Sequence, residues 1–525
     1  MAGGKGWGAA LGCAALLYGC GGGGGGGNTP PPEPPWRRGT LLQSPPPRSA
    51  SLTAATLQQR IGGNSTRGLA LLIMTGDPVC GVDVHHLQYT TVGGLDERTT
   101  ASGALMLPTG SDPRCNGARP MVLYAHGTNP AKSYNLANLT DTGNAANGES
   151  LMLAAFYAAK GYIVVAPNYA GYDSSTLTYH PFLVADQQSK DMIDGWTAAI
   201  TALPTVSTSV RANDKLFLTG YSQGGYVAMA THRAMQQLGT KVTASAPMSG
   251  PYALAAQTDA PFYGRAPFGS TLFGTLLANS YQKVYGNIYA TPSDFYEPAY
   301  APGIESLLPG PDAASLLASG KLPQYALFSG TPPVTTPGSA LHALLATSTP
   351  AHTGTALDRV YAQGFGTPHL LSNAARLAYI SDAVNHPDGV LPVLGNRLPA
   401  AAPQHPLRVA TRRNDLRDWT PVAPVLLCGG EGDATVPFAI NSQVMGALWS
   451  GLPGGTVTVL DVDASPAGAS DPYRAEKLGF AVVKTAVMAD AVLAGEDPSM
   501  EVARNYHAGL LPFCHSAART FFDKF

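Results

Sequence analysis

A serine between glycines, a carboxylate in a glycine-rich turn and a late histidine follow one another along this chain. Residues of these types in this order suit nucleophilic attack on a carbonyl carbon. Ser222 lies in Gly220-Tyr221-Ser222-Gln223-Gly224, after the apolar run KLFLT and before the helix-like stretch GYVAMATHRAMQQL. The pentapeptide alone arises often by chance, but between a strand and a helix it sets the hydroxyl on a tight, strained turn. Such a hydroxyl needs a base to take its proton, an acid to orient that base and donors for the developing oxyanion. For the acid, Asp433 in PVLLCGGEGDATVPF stands just past an apolar run; Glu431 is its close competitor, and Asp461 and Asp463 are weaker candidates. For the base, His507 in NYHAGLLPF falls in a loop-like stretch ahead of a final helix expected over PFCHSAARTFFDKF. His515 sits inside that helix, and His386 and His405 precede the acid and break the Ser–Asp–His order. The expected set is therefore Ser222, Asp433 and His507.

Positioning these groups requires a rigid frame, and the rhythm of the chain supplies one. VDVHHLQYTTV and TTASGALMLP read as two antiparallel strands joined by GGLDER. After them, short apolar strands (PMVLYA, YIVVAPN, KLFLTG, TASAPM, PVLLCGG, TVTVLDV) alternate with helical stretches, among them DQQSKDMIDGWTAAITAL. Such alternation predicts an α/β fold, a mostly parallel central sheet with helices on both faces. Residues 255–420 break the rhythm with helix-like pieces such as TLFGTLLANSYQKVYG between Pro/Gly-rich turns. A structureless loop of that length is implausible inside a compact domain. A large, mainly helical cap is expected there, inserted before the acid-bearing strand, with the core formed by 51–254 and 421–525.

Charge narrows the partners. In 525 residues, 32 Lys and Arg face 34 Asp and Glu, so no concentrated basic face is available for nucleic acid. No C-x-x-C spacing suggests a zinc site, and the serine chemistry requires no cofactor.

The strand–GYSQGG–helix unit, YAHGT after a strand, VVAPNYAGYD and the EGDATVP loop resemble the α/β-hydrolase superfamily from about residue 70 onward. Within it, with the long cap before the acid strand, they are similar to the secretory lipase family. That resemblance implies a carboxylester hydrolase acting on hydrophobic esters, with the cap forming the acyl site. It also implies oxyanion donors at the backbone amides of Thr128 and Gln223, and leaves His126 a structural role in its loop. Tannases and feruloyl esterases place a cysteine where this chain has Tyr221. A serine peptidase or polyester depolymerase of the same fold is the alternative activity, and an inactive binding module the alternative class.

At the N-terminus, Lys5, a short apolar stretch and small residues suit a signal peptide over 1–20. Leu17-Tyr18-Gly19-Cys20 resembles the bacterial lipobox, which implies lipidation of Cys20, a membrane anchor and export to the outer membrane, periplasm or cell surface. The Gly/Pro-rich residues 21–50 then read as a linker. Four cysteines remain, and they allow three connectivities. The pairing Cys80–Cys115 would staple the opening hairpin, and Cys428–Cys514 would pin the acid loop to the base region.

Overall fold

A computed structural model of the chain describes residues 36–62, 66–453 and 455–525. The segments expected to form the signal peptide, the lipobox at Cys20 and the first half of the linker lie outside them. The linker expectation also extended too far, because Arg48–Leu52 forms the outermost strand of the sheet, β1. Its alternate residues Ala50 and Leu52 are buried against the next strand, which a Pro/Ser-rich composition did not reveal.

The helices α1 (Ala54–Gly62) and α2 (Thr66–Thr75) come next, followed by the hairpin of β2 (Gly81–Val92) and β3 (Arg98–Thr109). The remaining strands are β4 (Gly117–Ala125), β5 (Ile163–Pro167), β6 (Val210–Tyr221), β7 (Ala244–Met248), β8 (Val425–Gly429) and β9 (Val457–Asp461). They order as β1-β2-β3-β5-β4-β6-β7-β8-β9, antiparallel as far as β5 and parallel beyond it. Strands β5, β7 and β8 are buried at every residue. That continuous apolar character is what a strand covered on both faces requires.

Crossovers between strands are helices α3 (Asn147–Phe156), α4 (Ala185–Val206) and α5 (Gln223–Gln237). Between β7 and β8 the chain forms α6 (Leu254–Phe262), α7 (Ser270–Tyr285), α8 (Ala313–Ala318), α9 (Ala340–Thr347), α10 (Asp358–Gln363), α11 (Asn373–Asn385) and α12 (Pro406–Arg413). Two buried arginines tie this helical region together. Arg408 pairs with Asp259 at 3.0 Å and Asp382 at 2.8 Å, while Arg417 pairs with Asp388 at 2.8 Å and Asp415 at 2.7 Å. Pairing of this kind offsets the cost of burying a charge. The chain closes with α13 (Ser442–Leu448), α14 (Arg474–Ala494) and α15 (Pro498–Phe522). Cys80 is bonded to Cys115, and Cys428 to Cys514.

Candidate active site

Ser222 is the residue between β6 and α5, with φ 60° and ψ −122°. A non-glycine residue holds such a conformation only where its surroundings over-determine it. Here the turn is squeezed between neighbouring backbones. A Cβ on Gly220 would lie 2.5 Å from the Ala125 carbonyl oxygen, and one on Gly224 would collide with that same carbonyl. The Ser222 amide donates to the Met248 carbonyl at 3.0 Å, and its own carbonyl accepts from Gly225 at 2.9 Å. The hydroxyl-bearing residue is thus fixed from β4, β7 and α5 together.

Asp433 follows β8 in a tight turn and is 1 % exposed. One carboxylate oxygen accepts the Thr435 and Val436 amides at 2.9 and 3.0 Å. The other lies 2.6 Å from His507 Nδ1. Because the carboxylate only accepts, Nδ1 must carry the proton, and Nε2 is left with the lone pair. Nε2 is buried and has no hydrogen-bond partner among the described residues. The imidazole packs at 5.0 Å from the ring of Tyr221, the residue preceding Ser222. The Tyr221 hydroxyl donates to the backbone carbonyl of His507, so the β6 end is hydrogen-bonded to the turn of helix that carries the imidazole.

His507 is not in a loop. It lies inside α15, which begins at Pro498, fourteen residues before the expected helix start at Pro512. Gly509 and Pro512 gave the stretch its loop-like reading, but packing of Tyr506, Leu510 and Phe513 in the core outweighs their low helix propensity. The Cys428–Cys514 bridge links α15 to β8, the strand that leads into Asp433.

His515 is fully buried, with Nδ1 3.0 Å from the Tyr157 hydroxyl and its ring stacked on Phe156. Burial pushes its pKa down to about 3. Glu431 is exposed, and Asp463 accepts from Tyr506 at 2.6 Å and pairs with Lys484. Among the described residues neither carboxylate has a hydrogen bond to a histidine. His386 and His405 lie at the ends of α11 and α12, where His405 caps the helix by accepting the Leu407 amide at 3.3 Å.

Thr128 and Gln223 line the same pocket as Ser222. The Gln223 amide is the first of α5 and so has no acceptor within the helix. The loop carrying Thr128 is held from beneath. His126 is fully buried, with Nδ1 2.6 Å from the Gly127 carbonyl oxygen and Nε2 3.0 Å from that of Asn168, and is stacked on Tyr169. Its burial lowers its pKa. Glu149 accepts the Gly127 amide at 3.3 Å together with the hydroxyls of Tyr124 and Tyr134. The Gln223 side chain bonds His180 Nε2 at 2.7 Å. Tyr221, Glu149 and His180 escaped sequence reading, because their roles depend on partners from 43 to 286 residues away or on a carboxylate that resembles any helix-start glutamate.

The pocket has about 910 Å³ of empty space, its open mouth included. Thr128, Ser222 and Gln223 line it together with Pro261, Phe262, Phe273, Leu277, Phe295, Leu327, Leu371 and Leu407 from the helical insertion. Among the described residues no charged side chain lines it. Among the described residues no cluster of His, Cys, Asp and Glu could hold a metal ion.

Residues 139–239, which include Ser222, match the secretory lipase family. Among solved structures, the chain is similar to the rice cell wall degrading esterase LipA from Xanthomonas oryzae. The two are 26% identical, with a TM-score of 0.61 over 85% of this chain and 95% of that one. A ligand-bound form of the same esterase matches at 26% identity and a TM-score of 0.60, over 85% and 94%. A protein of Legionella pneumophila assigned as a hydrolase is 18% identical, with a TM-score of 0.61 over 92% and 97% of the two chains. No curated protein matches in sequence. The fold is that of the α/β-hydrolases, and the resemblance read from the motifs stands.

Proposed function

We propose, from an α/β-hydrolase fold that carries a secretory-lipase segment, that this protein is a serine carboxylester hydrolase acting on hydrophobic esters. The observation that carries the reading is the 2.6 Å contact between His507 Nδ1 and Asp433, beside a serine held on a strained turn. His507 Nε2 takes the proton of Ser222 as the hydroxyl attacks the ester carbonyl, and Asp433 orients the imidazole and stabilises its cation. The Thr128 and Gln223 amides hold the oxyanion, each worth roughly a hundred- to a thousandfold in rate. The alcohol leaves with the proton from His507, and an acyl-Ser222 intermediate remains. Water, deprotonated by His507, then releases the acid. An uncharged, largely apolar pocket favours an acyl chain over a charged or peptide-like group. Export is supported by a secretory-lipase segment and two disulfides, and the lipobox-like Leu17-Tyr18-Gly19-Cys20 stretch motivates the further proposal of a lipid anchor at Cys20.

The test is turnover of a nitrophenyl ester chain-length series beside amide substrates. Ser222→Ala and His507→Ala are expected to lose about 10⁴- to 10⁶-fold in kcat, and His515→Ala to retain kcat in its folded fraction. Full esterase activity in Ser222→Ala, or a preference for amides in the parent protein, would sink the proposal.

A further inference from the structure

Helix α14 turns an apolar face outward. Between Ala475 and Ala489 every exposed position is uncharged: Ala475, Leu478, Ala481, Val482, Thr485, Ala486, Met488 and Ala489. Val482 is 68% exposed, Val492 64% and Leu493 86%. At about 100° per residue these positions fall on one side of the helix, where a surface helix normally carries its charges. The opposite side is already used, since α14 packs on α15 through Phe480. Helix propensity accounts for the alanines and leucines of this face but not for its valines, and monomeric proteins rarely leave so continuous an apolar strip in water.

We infer that this face pairs with the same face of a second copy of the chain, the two α14 helices running antiparallel about a two-fold axis near Thr485 and Ala486. In that register Leu478 of one copy meets Leu493 of the other, and Val482 meets Ala489. The small residues at the centre, Thr485, Ala486 and Ala489, let the axes approach to about 8 Å, the near end of helix packing distances. Arg474 at the start of one helix comes beside Glu496, just past the end of the other, and the helix dipoles oppose. The contact is isologous, so it closes at two copies. Half the wall of a cylinder about 12 Å across and about 30 Å long exposes roughly 570 Å² to water. Pairing two such faces buries at most about 1,100 Å², the size of a weak contact whose formation depends on concentration. A lipid surface fits the face less well. Interfacial helices carry aromatic residues on the apolar side and free cations beside it, whereas the one aromatic of α14, Phe480, is buried. The cations flanking the strip, Lys477 and Lys484, are paired with Asp471 and Asp463, which leaves the single exposed Arg474 at one end of the helix.

The test is the molar mass of the purified protein by sedimentation and light scattering over a hundredfold range of concentration. The parent is expected to move from one copy to two, and Val482→Glu with Leu493→Glu to stay single at every concentration with ester turnover unchanged. Thr485→Cys tests the register separately: mild oxidation should give a covalent pair that keeps activity. Flotation with zwitterionic and anionic vesicles runs alongside. A parent that stays single would overturn the inference, whether or not it floats with vesicles through this face. So would a pair that survives both glutamates with no Thr485→Cys cross-link.

Discussion

Ser222 costs the chain backbone strain, and the bonds that hold it come from three elements that are distant in sequence. The serine was legible from its flanking strand and helix, and Asp433 from the glycine-rich turn after an apolar run. Tyr221 and Glu149 were not, because nothing local says that a tyrosine hydroxyl will reach the carbonyl of His507 or that a glutamate will hold the Gly127 amide. The buried histidines make a prediction at this scale. Burial lowers the pKa of His515 and His180 to about 3 and of His232 to about 4. Each is neutral in the fold but takes a proton near pH 6.5 when unfolded. The unfolded state therefore binds more protons below that value, and stability falls as pH drops from about 6.5 toward 4. Each such group adds up to about 1.4 kcal/mol per pH unit to the slope. Urea midpoints measured from pH 7 to pH 4 should fall steeply in the parent and less steeply in His515→Phe. An unchanged slope in that variant would remove His515 from the account.

At the scale of elements, the β6–turn–α5 unit leaves no room for side chains at its glycines. Gly224→Ala must push a methyl into the Ala125 carbonyl, so it should lose at least about 10²-fold in ester turnover or several degrees in Tm. Parent-like values for both would show that the turn can relax. Helix α15 is the element least legible in the sequence. A glycine and a proline beside the histidine imitate a loop, and only the core contacts of Tyr506, Leu510 and Phe513 keep the segment helical. The two disulfides should act differently on it. The entropy of closing loops of 35 and 86 residues makes each worth roughly 4 kcal/mol. Removing Cys80–Cys115 with paired serines should lower Tm and leave kcat alone. Removing Cys428–Cys514 should lower both, because that bridge ties the helix bearing His507 to the strand leading into Asp433. Equal kcat in the two variants would count against this division.

Across the whole molecule, the parallel sheet presents Ser222 and Asp433 at its carboxyl ends, and the helices between β7 and β8 supply the apolar walls. The helical character of that insertion was readable from its periodicity. Its pocket was not, since the lining residues come from α6, α7, α12 and the connections between them. Leu277, on α7, lies on the pocket wall. Leu277→Trp should therefore cut turnover of long-chain nitrophenyl esters about tenfold or more while sparing the acetyl ester. A uniform loss at all chain lengths would place Leu277 outside the acyl path. The pairing of the cysteines has one more outcome. Cys80–Cys115 closes entirely before the insertion and Cys428–Cys514 entirely after it. Val334, 92% exposed, lies between them in a stretch outside any helix or strand. One cut there yields two polypeptides, each with its own cross-link and none shared. The first holds Ser222, and the second holds Asp433 and His507, so the chain has a built-in seam for a two-piece reporter that is silent until β7 and β8 meet.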